Sequence, residues 1–102
     1  MYPGIQEHQS ELAEICARRG VQRLELFGSA ATGRLDPASG DLDFLVDLEP
    51  ASPGELANRD FGLLEDLQNL FGLPVDLVMT AAIKNPYFLQ GIAPSRTLLY
   101  AA

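Results

Sequence analysis

Eight residues near the middle of the chain, Asp41-Leu42-Asp43-Phe44-Leu45-Val46-Asp47-Leu48, set the tightest limit on what it can fold into. Successive side chains of a strand point to opposite faces, so Leu42, Phe44, Val46 and Leu48 share one face and Asp41, Asp43 and Asp47 the other. Such a strand buries its apolar face under other elements and leaves the acidic face open to water or a ligand. The chain therefore needs at least one helical layer and a sheet covered on one side.

The flanking segments supply both. From Ile5 the residues Ile5, Leu12, Ile15 and Cys16 recur at helical spacing, Arg18 and Arg19 suit the negative end, and Gly20 can terminate it, which predicts one amphipathic first helix. Val21 to Phe27 reads as a strand that stops at Gly28-Ser29 and runs into the small-residue stretch Ala30-Ala31-Thr32-Gly33. Ser52-Pro53-Gly54-Glu55 is a helix start in which Ser52 caps, Pro53 takes the first helical position and Glu55 completes a capping box. Leu56, Leu63, Leu64, Leu67, Leu70 and Phe71 follow at helical spacing until Gly72 and Pro74. Pro74 to Met79 is a third strand, mostly apolar but for Asp76, and Asn85-Pro86 opens another helix, whereas Gly91 and Pro94 leave the segment up to Tyr100 unassigned. The order helix, strand, turn, strand, helix, strand, helix predicts an α/β or α+β fold.

Length and charge narrow the function. The 102 residues are expected to make one domain, 1–102, without a second domain to enclose a small substrate. Seven Lys plus Arg against fourteen Asp plus Glu give a net charge of -7, a field that repels long nucleic acids and anionic lipid surfaces. The one cysteine, Cys16, forms no internal disulfide or thiolate cage and is expected to be a small buried hydrophobe. His8, with no second histidine as companion, is expected to be structural or solvated rather than a ligand. No segment has the length of a membrane span, and the N-terminus lacks a basic region followed by an apolar core, so a cytoplasmic protein is expected.

Three features carry chemistry. Asp41 and Asp43, two apart on a strand, start roughly 7 Å from one another at the backbone and can converge on one cation. Oxygen-only ligands favour Mg2+ or Mn2+ over zinc. Gly28 at a strand end lets the backbone approach a ligand, the amides that follow attract phosphate oxygens, and Ser29 adds a hydroxyl. Asp76 is an acid among Val75, Leu77, Val78 and Met79, where it must face solvent, a cation or a partner. Each has a plainer reading, respectively an acidic exposed face, a tight turn and an edge-strand surface residue. Their combination points to a metal-assisted phosphoryl or nucleotidyl transfer site.

These residues resemble a known signature. Phe27-Gly28-Ser29-Ala30-Ala31-Thr32-Gly33, then Asp41-Leu42-Asp43-Phe44-Leu45-Val46, is similar to the Gly-Ser, short spacer, Asp-x-Asp pattern of the minimal nucleotidyltransferases, the MNT family of the polymerase-beta-like superfamily. Asp76 matches the family's third aspartate. The chain departs from the pattern in its spacer of eleven residues between Ser29 and Asp41, one longer than usual, and in Gly40, where a serine is common.

The resemblance implies a small mixed sheet with helices on one side and the site on its open face. It implies that Gly28 and Ser29 bind the nucleotide, that Asp41, Asp43 and Asp76 bind Mg2+ or Mn2+ and form the catalytic set, and that Asp76 helps remove the acceptor proton. The reaction it implies moves AMP from ATP to an acceptor hydroxyl. Family members commonly pair, as antitoxins, with HEPN-domain ribonuclease toxins, so the implied acceptor is a tyrosine of such a toxin and the implied assembly a hetero-oligomer. Two other readings remain open at this stage: a non-catalytic antitoxin of the same fold acting by occlusion, and transfer to a small molecule such as an aminoglycoside.

Overall fold

The computed structural model describes residues 1–33 and 40–102, so the sequence expectation for the loop from Arg34 to Gly40 falls mostly outside the described residues. Pro3 occupies an early helical position, where its missing amide costs nothing, and opens α1 (Pro3–Glu7). Helix α2 (Gln9–Arg18) follows a break at His8, whose φ of -117° and ψ of 25° leave the helical range. The single first helix expected from periodicity is thus two. The break is silent in the pattern because Ile5, Leu12, Ile15 and Cys16 all still reach the core. His8 stabilises the bend: its amide donates to the Ile5 carbonyl (3.3 Å), its Nδ1 meets Glu11 Oε1 (2.8 Å), and its ring stands edge-on to Phe71.

Strand β1 (Val21–Phe27) leads into a single helical turn, α3 (Ser29–Thr32), and β2 (Leu42–Leu48) begins one residue later than expected. Helix α4 (Pro53–Phe71) starts where the cap predicts, with Ser52 Oγ accepting from the Glu55 amide at 3.3 Å. The Glu55 carboxylate turns outward to Arg59, 3.8 Å away, in place of completing the box. Strand β3 (Val75–Met79) leads through a tight turn at Thr80–Ala82 to α5 (Pro86–Ile92), where Asn85 Oδ1 accepts from the Tyr87 amide (2.9 Å). After a turn at Ala93–Ser95, the unassigned segment holds a fourth strand, β4 (Thr97–Ala101).

The strands line up as β3-β2-β1-β4. Strand β1 pairs antiparallel with both β2 and β4, and β2 pairs parallel with β3, so the sheet is mixed, as expected. Leu24, Leu26, Leu42, Phe44 and Val46 of the sheet form one cluster with Ile5, Leu12, Ile15, Cys16, Leu63 and Leu67 of the helices, all buried. At about 1.5–3 kcal/mol for each large apolar side chain removed from water, this layer supplies the main driving force. Burial also pushes the Cys16 thiol up to about 12, which keeps it neutral.

Arg18 and Arg19 do more than face a helix end. They cross from α2 to α4, where Asp66 accepts from Arg18 Nη2 (3.1 Å) and Arg19 Nε (2.7 Å). Gly62 leaves the space for this crossing, since a Cβ there would stand 2.5 Å from Arg19 Nη1. Phe27 and Leu45 are buried too but lie outside the helix-side cluster, on the opposite face with the acids.

Candidate active site

Register places the candidate residues. In the row across the sheet, Phe27 of β1 stands opposite Asp43 of β2, and Asp43 stands opposite Asp76 of β3. Paired residues of neighbouring strands project from the same face, so both aspartates leave the sheet on the side away from the helical core, about 4.8 Å apart at the backbone. Asp41 lies one residue ahead of β2 and is exposed.

Gly28 ends β1 with φ 76° and ψ -153°, a region that is essentially glycine-only. The space beside it belongs to Asp43: a Cβ on Gly28 would stand 2.6 Å from Asp43 Oδ2. Glycine is therefore required twice, by backbone conformation and by close approach. The amides of Ala31 and Thr32 turn back to the Gly28 carbonyl (3.2 and 3.3 Å) and Ala30 is fully buried, which leaves the Ser29 amide as the partly exposed donor the helical turn does not itself use. The turn thus places the Ser29 hydroxyl and amide next to Gly28, which faces the Asp43 carboxylate.

The electrostatics agree with a site awaiting positive charge. Burial, then Asp76, then Asp41 push the Asp43 carboxyl above the ordinary aspartate range. The donor set is all oxygen, which fits a hard divalent cation such as Mg2+ or Mn2+. Among the described residues, however, no three acidic, imidazole or thiol groups stand together as a ready metal cage. The backbone brings Asp43 and Asp76 together on one face with Asp41 at its margin, and the carboxylates repel rather than converge.

The residues beneath the turn escaped the sequence reading. Glu25, two before Phe27 on the same face, is 4% exposed, and both its oxygens are taken: Oε2 accepts from Arg96 Nε (2.6 Å) and Oε1 from Arg23 Nε (2.7 Å). The Arg96 bond first, then that of Arg23, holds the Glu25 carboxyl below its usual range. Ser95 Oγ accepts the Gly28 amide at 3.1 Å and donates to the Ile92 carbonyl at 3.0 Å. The signal for Glu25 was its position between Leu24 and Leu26, a charge that a buried strand tolerates only when paired. Arg96 and Ser95 lie about seventy residues away, and nothing local points to them.

Near Asp76, Val78 projects from the same face and joins Ile83, Lys84, Asn85 and Phe88 around a shallow hollow of about 280 Å³. Phe88 meets Phe27 edge-on, ring centres 5.9 Å apart, so α5 leans over the acidic face from its margin.

A mixed four-stranded sheet in this order, with a Gly-Ser turn closing its first strand beside an acidic row on the open face, is the nucleotidyltransferase fold. Residues 9–99 match the nucleotidyltransferase domain family, and the chain belongs to that family and is a nucleotidyltransferase. It is 35% identical over 88 residues, 86% of this chain and 83% of the relative, to a provisionally named protein adenylyltransferase of Methanocaldococcus jannaschii. A second protein of that organism, of the same provisional name, is 33% identical over 72 residues, 71% of this chain and 70% of the relative. Among solved structures, one described as a minimal nucleotidyltransferase superposes with a TM-score of 0.70 at 25% identity, covering 95% of both chains. The fold is shared with a toxin-antitoxin complex holding AMP-PNP (TM-score 0.70, 19% identity, 92% of this chain and 73% of that one). It is shared as well with the complex of a tri-AMPylated Shewanella oneidensis HEPN toxin and its MNT antitoxin (TM-score 0.65, 17% identity, 96% and 73%). No helix among the described residues is long and apolar enough to cross a membrane.

Proposed function

We propose that the chain is a Mg2+- or Mn2+-dependent adenylyltransferase that moves AMP from ATP to a protein hydroxyl, a tyrosine of a HEPN-type toxin, and so acts as that toxin's antitoxin. The observation that carries this reading is the pair Asp43 and Asp76 side by side on one face, with Gly28 at the end of β1 shaped to admit the Asp43 carboxylate. The provisional names of the Methanocaldococcus jannaschii relatives and the AMPylated toxin in the Shewanella oneidensis complex support the substrate and the partner.

In this mechanism the Ser29 hydroxyl and amide hold phosphate oxygens, with the phosphate chain laid over Gly28. Asp41, Asp43 and Asp76 would hold the divalent ion, which when bound supplies charge stabilisation at the α-phosphate and the leaving pyrophosphate. Asp76, on the outer side of the row and next to the hollow, takes the proton of the acceptor hydroxyl. The new bond joins that oxygen to the α-phosphorus, and the bond from the α-phosphorus to the oxygen bridging to the β-phosphate breaks. The net charge of -7 disfavours a nucleic-acid acceptor, and a shallow hollow suits a side chain delivered by a docked partner.

A second reading has its own observation. The fold shared with toxin-antitoxin complexes suits an antitoxin that works by occluding its partner, without chemistry. Incubating both proteins with ATP and Mg2+, followed by intact mass spectrometry, separates them. Adenylyl groups added to the partner, and lost with Asp43→Asn, support transfer. Neutralisation by Asp43→Asn without any mass change supports occlusion.

A further inference from the structure

The proposed nucleotide turn is held in place from the far end of the chain. Gly28 sits in a conformation that only glycine adopts readily, and its amide is the first donor beyond β1, at the start of the turn. That amide is given to the Ser95 hydroxyl, whose own hydrogen goes to the Ile92 carbonyl. With its hydrogen committed, the hydroxyl has only lone pairs to offer the Gly28 N–H, which fixes the orientation of the Phe27–Gly28 peptide.

Ser95 is itself clamped on both sides. Its carbonyl accepts from Thr97 Oγ1 (3.2 Å), and the next residue, Arg96, is anchored to buried Glu25 by a 2.6 Å bond on β1. The Arg96 amide donates to the Ile92 carbonyl at 3.1 Å, closing the turn that carries Ser95. The same Ala93–Ser95 turn packs against α3, the helical turn that presents the Ser29 hydroxyl and amide. The chain from Ile92 to Thr97 is thus a brace with one foot on β1, at Glu25, and the other on the Gly28 peptide.

We propose that Ser95 is a positioning residue for nucleotide binding, acting through the Gly28 amide, with the Glu25–Arg96 pair setting its place. It rests on the reading of the turn as the ATP site. Because both hydrogen-bonding directions of its hydroxyl are used, Ser95 does not touch the phosphates; it preorganises the donors that do. Its loss therefore weakens capture of the nucleotide more than the chemical step, whereas loss of a metal-binding carboxylate reduces the step itself.

The test compares wild type, Ser95→Ala and Ser95→Thr, the last keeping a hydroxyl. Three quantities are read: the dissociation constant for ATP with Mg2+ by equilibrium binding, KM and kcat for AMP transfer to the partner, and the thermal midpoint. Ser95→Ala is expected to raise both the ATP dissociation constant and KM about tenfold, to leave kcat within about twofold, and to lower the midpoint by no more than a few degrees. Ser95→Thr is expected to restore binding. ATP binding unchanged in Ser95→Ala overturns the inference, as does a threonine variant as impaired as alanine, or a falling midpoint with no change in affinity. If wild type itself binds no ATP, the reading of the turn fails first, and that result is distinct from wild-type binding that Ser95→Ala leaves intact.

Discussion

Replacing Gly28 with alanine loads the candidate site with two separable costs. The backbone at φ 76° and ψ -153° lies where non-glycine residues pay about 1–3 kcal/mol in strain. The added methyl would also stand 2.6 Å from Asp43 Oδ2, closer than real carbon and oxygen atoms approach, so the carboxylate must swing away. That carboxylate sits at the end of a side chain, so the second cost is smaller, about 1 kcal/mol. Together they predict a loss of about 2–4 kcal/mol, and at about 4–8 °C per kcal/mol for a domain of this size the midpoint falls by at least about 8 °C. A double-mutant cycle apportions the two. Asp43→Ala removes the obstacle, so Gly28→Ala should cost about 1 kcal/mol less in that background, leaving the backbone strain alone. Thermal unfolding of the four proteins in EDTA, by calorimetry or circular dichroism, measures this directly. A Gly28→Ala midpoint within about 2 °C of wild type would refute the strain argument. Additive effects in the double mutant would refute the close approach of Asp43.

If the acidic row binds Mg2+ and ATP, then both together should raise stability by roughly 2.7 kcal/mol at a hundred times the dissociation constant, seen as a higher midpoint in differential scanning fluorimetry that EDTA abolishes. Asp66 is held below the usual carboxylate range, first by Arg19 and then by Arg18, so its contribution is present above the ordinary aspartate range and fades as pH falls through the lowered value. Asp66→Asn should therefore cost about 1 kcal/mol at pH 7 and progressively less in acid, seen as converging urea midpoints below about pH 4. Ser52→Ala removes the α4 cap and should cost about 1 kcal/mol, with Ser52→Asp recovering most of it in the same denaturation assay. Cys16, buried and with its thiol pushed up to about 12, should resist alkylation at pH 8 in the native protein and react at once in urea.

What the sequence made legible was whatever rests on local pattern. The alternation from Leu42 to Leu48, the Ser52-Pro53 start and the Gly72 stop located β2 and α4 to within a residue, because burial and capping act over a few positions. The bend at His8 escaped because a broken helix that keeps its apolar face looks continuous in a 3.6-residue repeat. Leu45 is buried on the face that alternation assigned to the acids, flanked by Glu25 and Val78 in its row, a consequence of lateral neighbours rather than of its own strand. Strand β4 lay behind Gly91 and Pro94 and is five residues long, too short for alternation to stand out. For the candidate site, Gly28, Asp43 and Asp76 were readable by residue type, and the register set Asp43 and Asp76 in one row with Phe27, the residue before Gly28. The brace of Ser95, Arg96 and Glu25 depends on pairing across the sheet, which residue spacing along the chain does not encode.

The pairing of β1 with β4 has a consequence for how the molecule comes into being. During synthesis β1 leaves the ribosome long before β4, and one of its edges has no partner for about seventy residues of translation. Throughout that interval Glu25 lacks Arg96, and the Gly28 amide lacks the Ser95 hydroxyl. Contacts that close so long a loop are expected to form late, so the turn at Gly28 gains its Ser95 bond only when the segment leading to β4 docks. A nascent chain can already bury most of its core and still hold an unfinished turn. Completion of the sheet and readiness of the turn are thereby the same event.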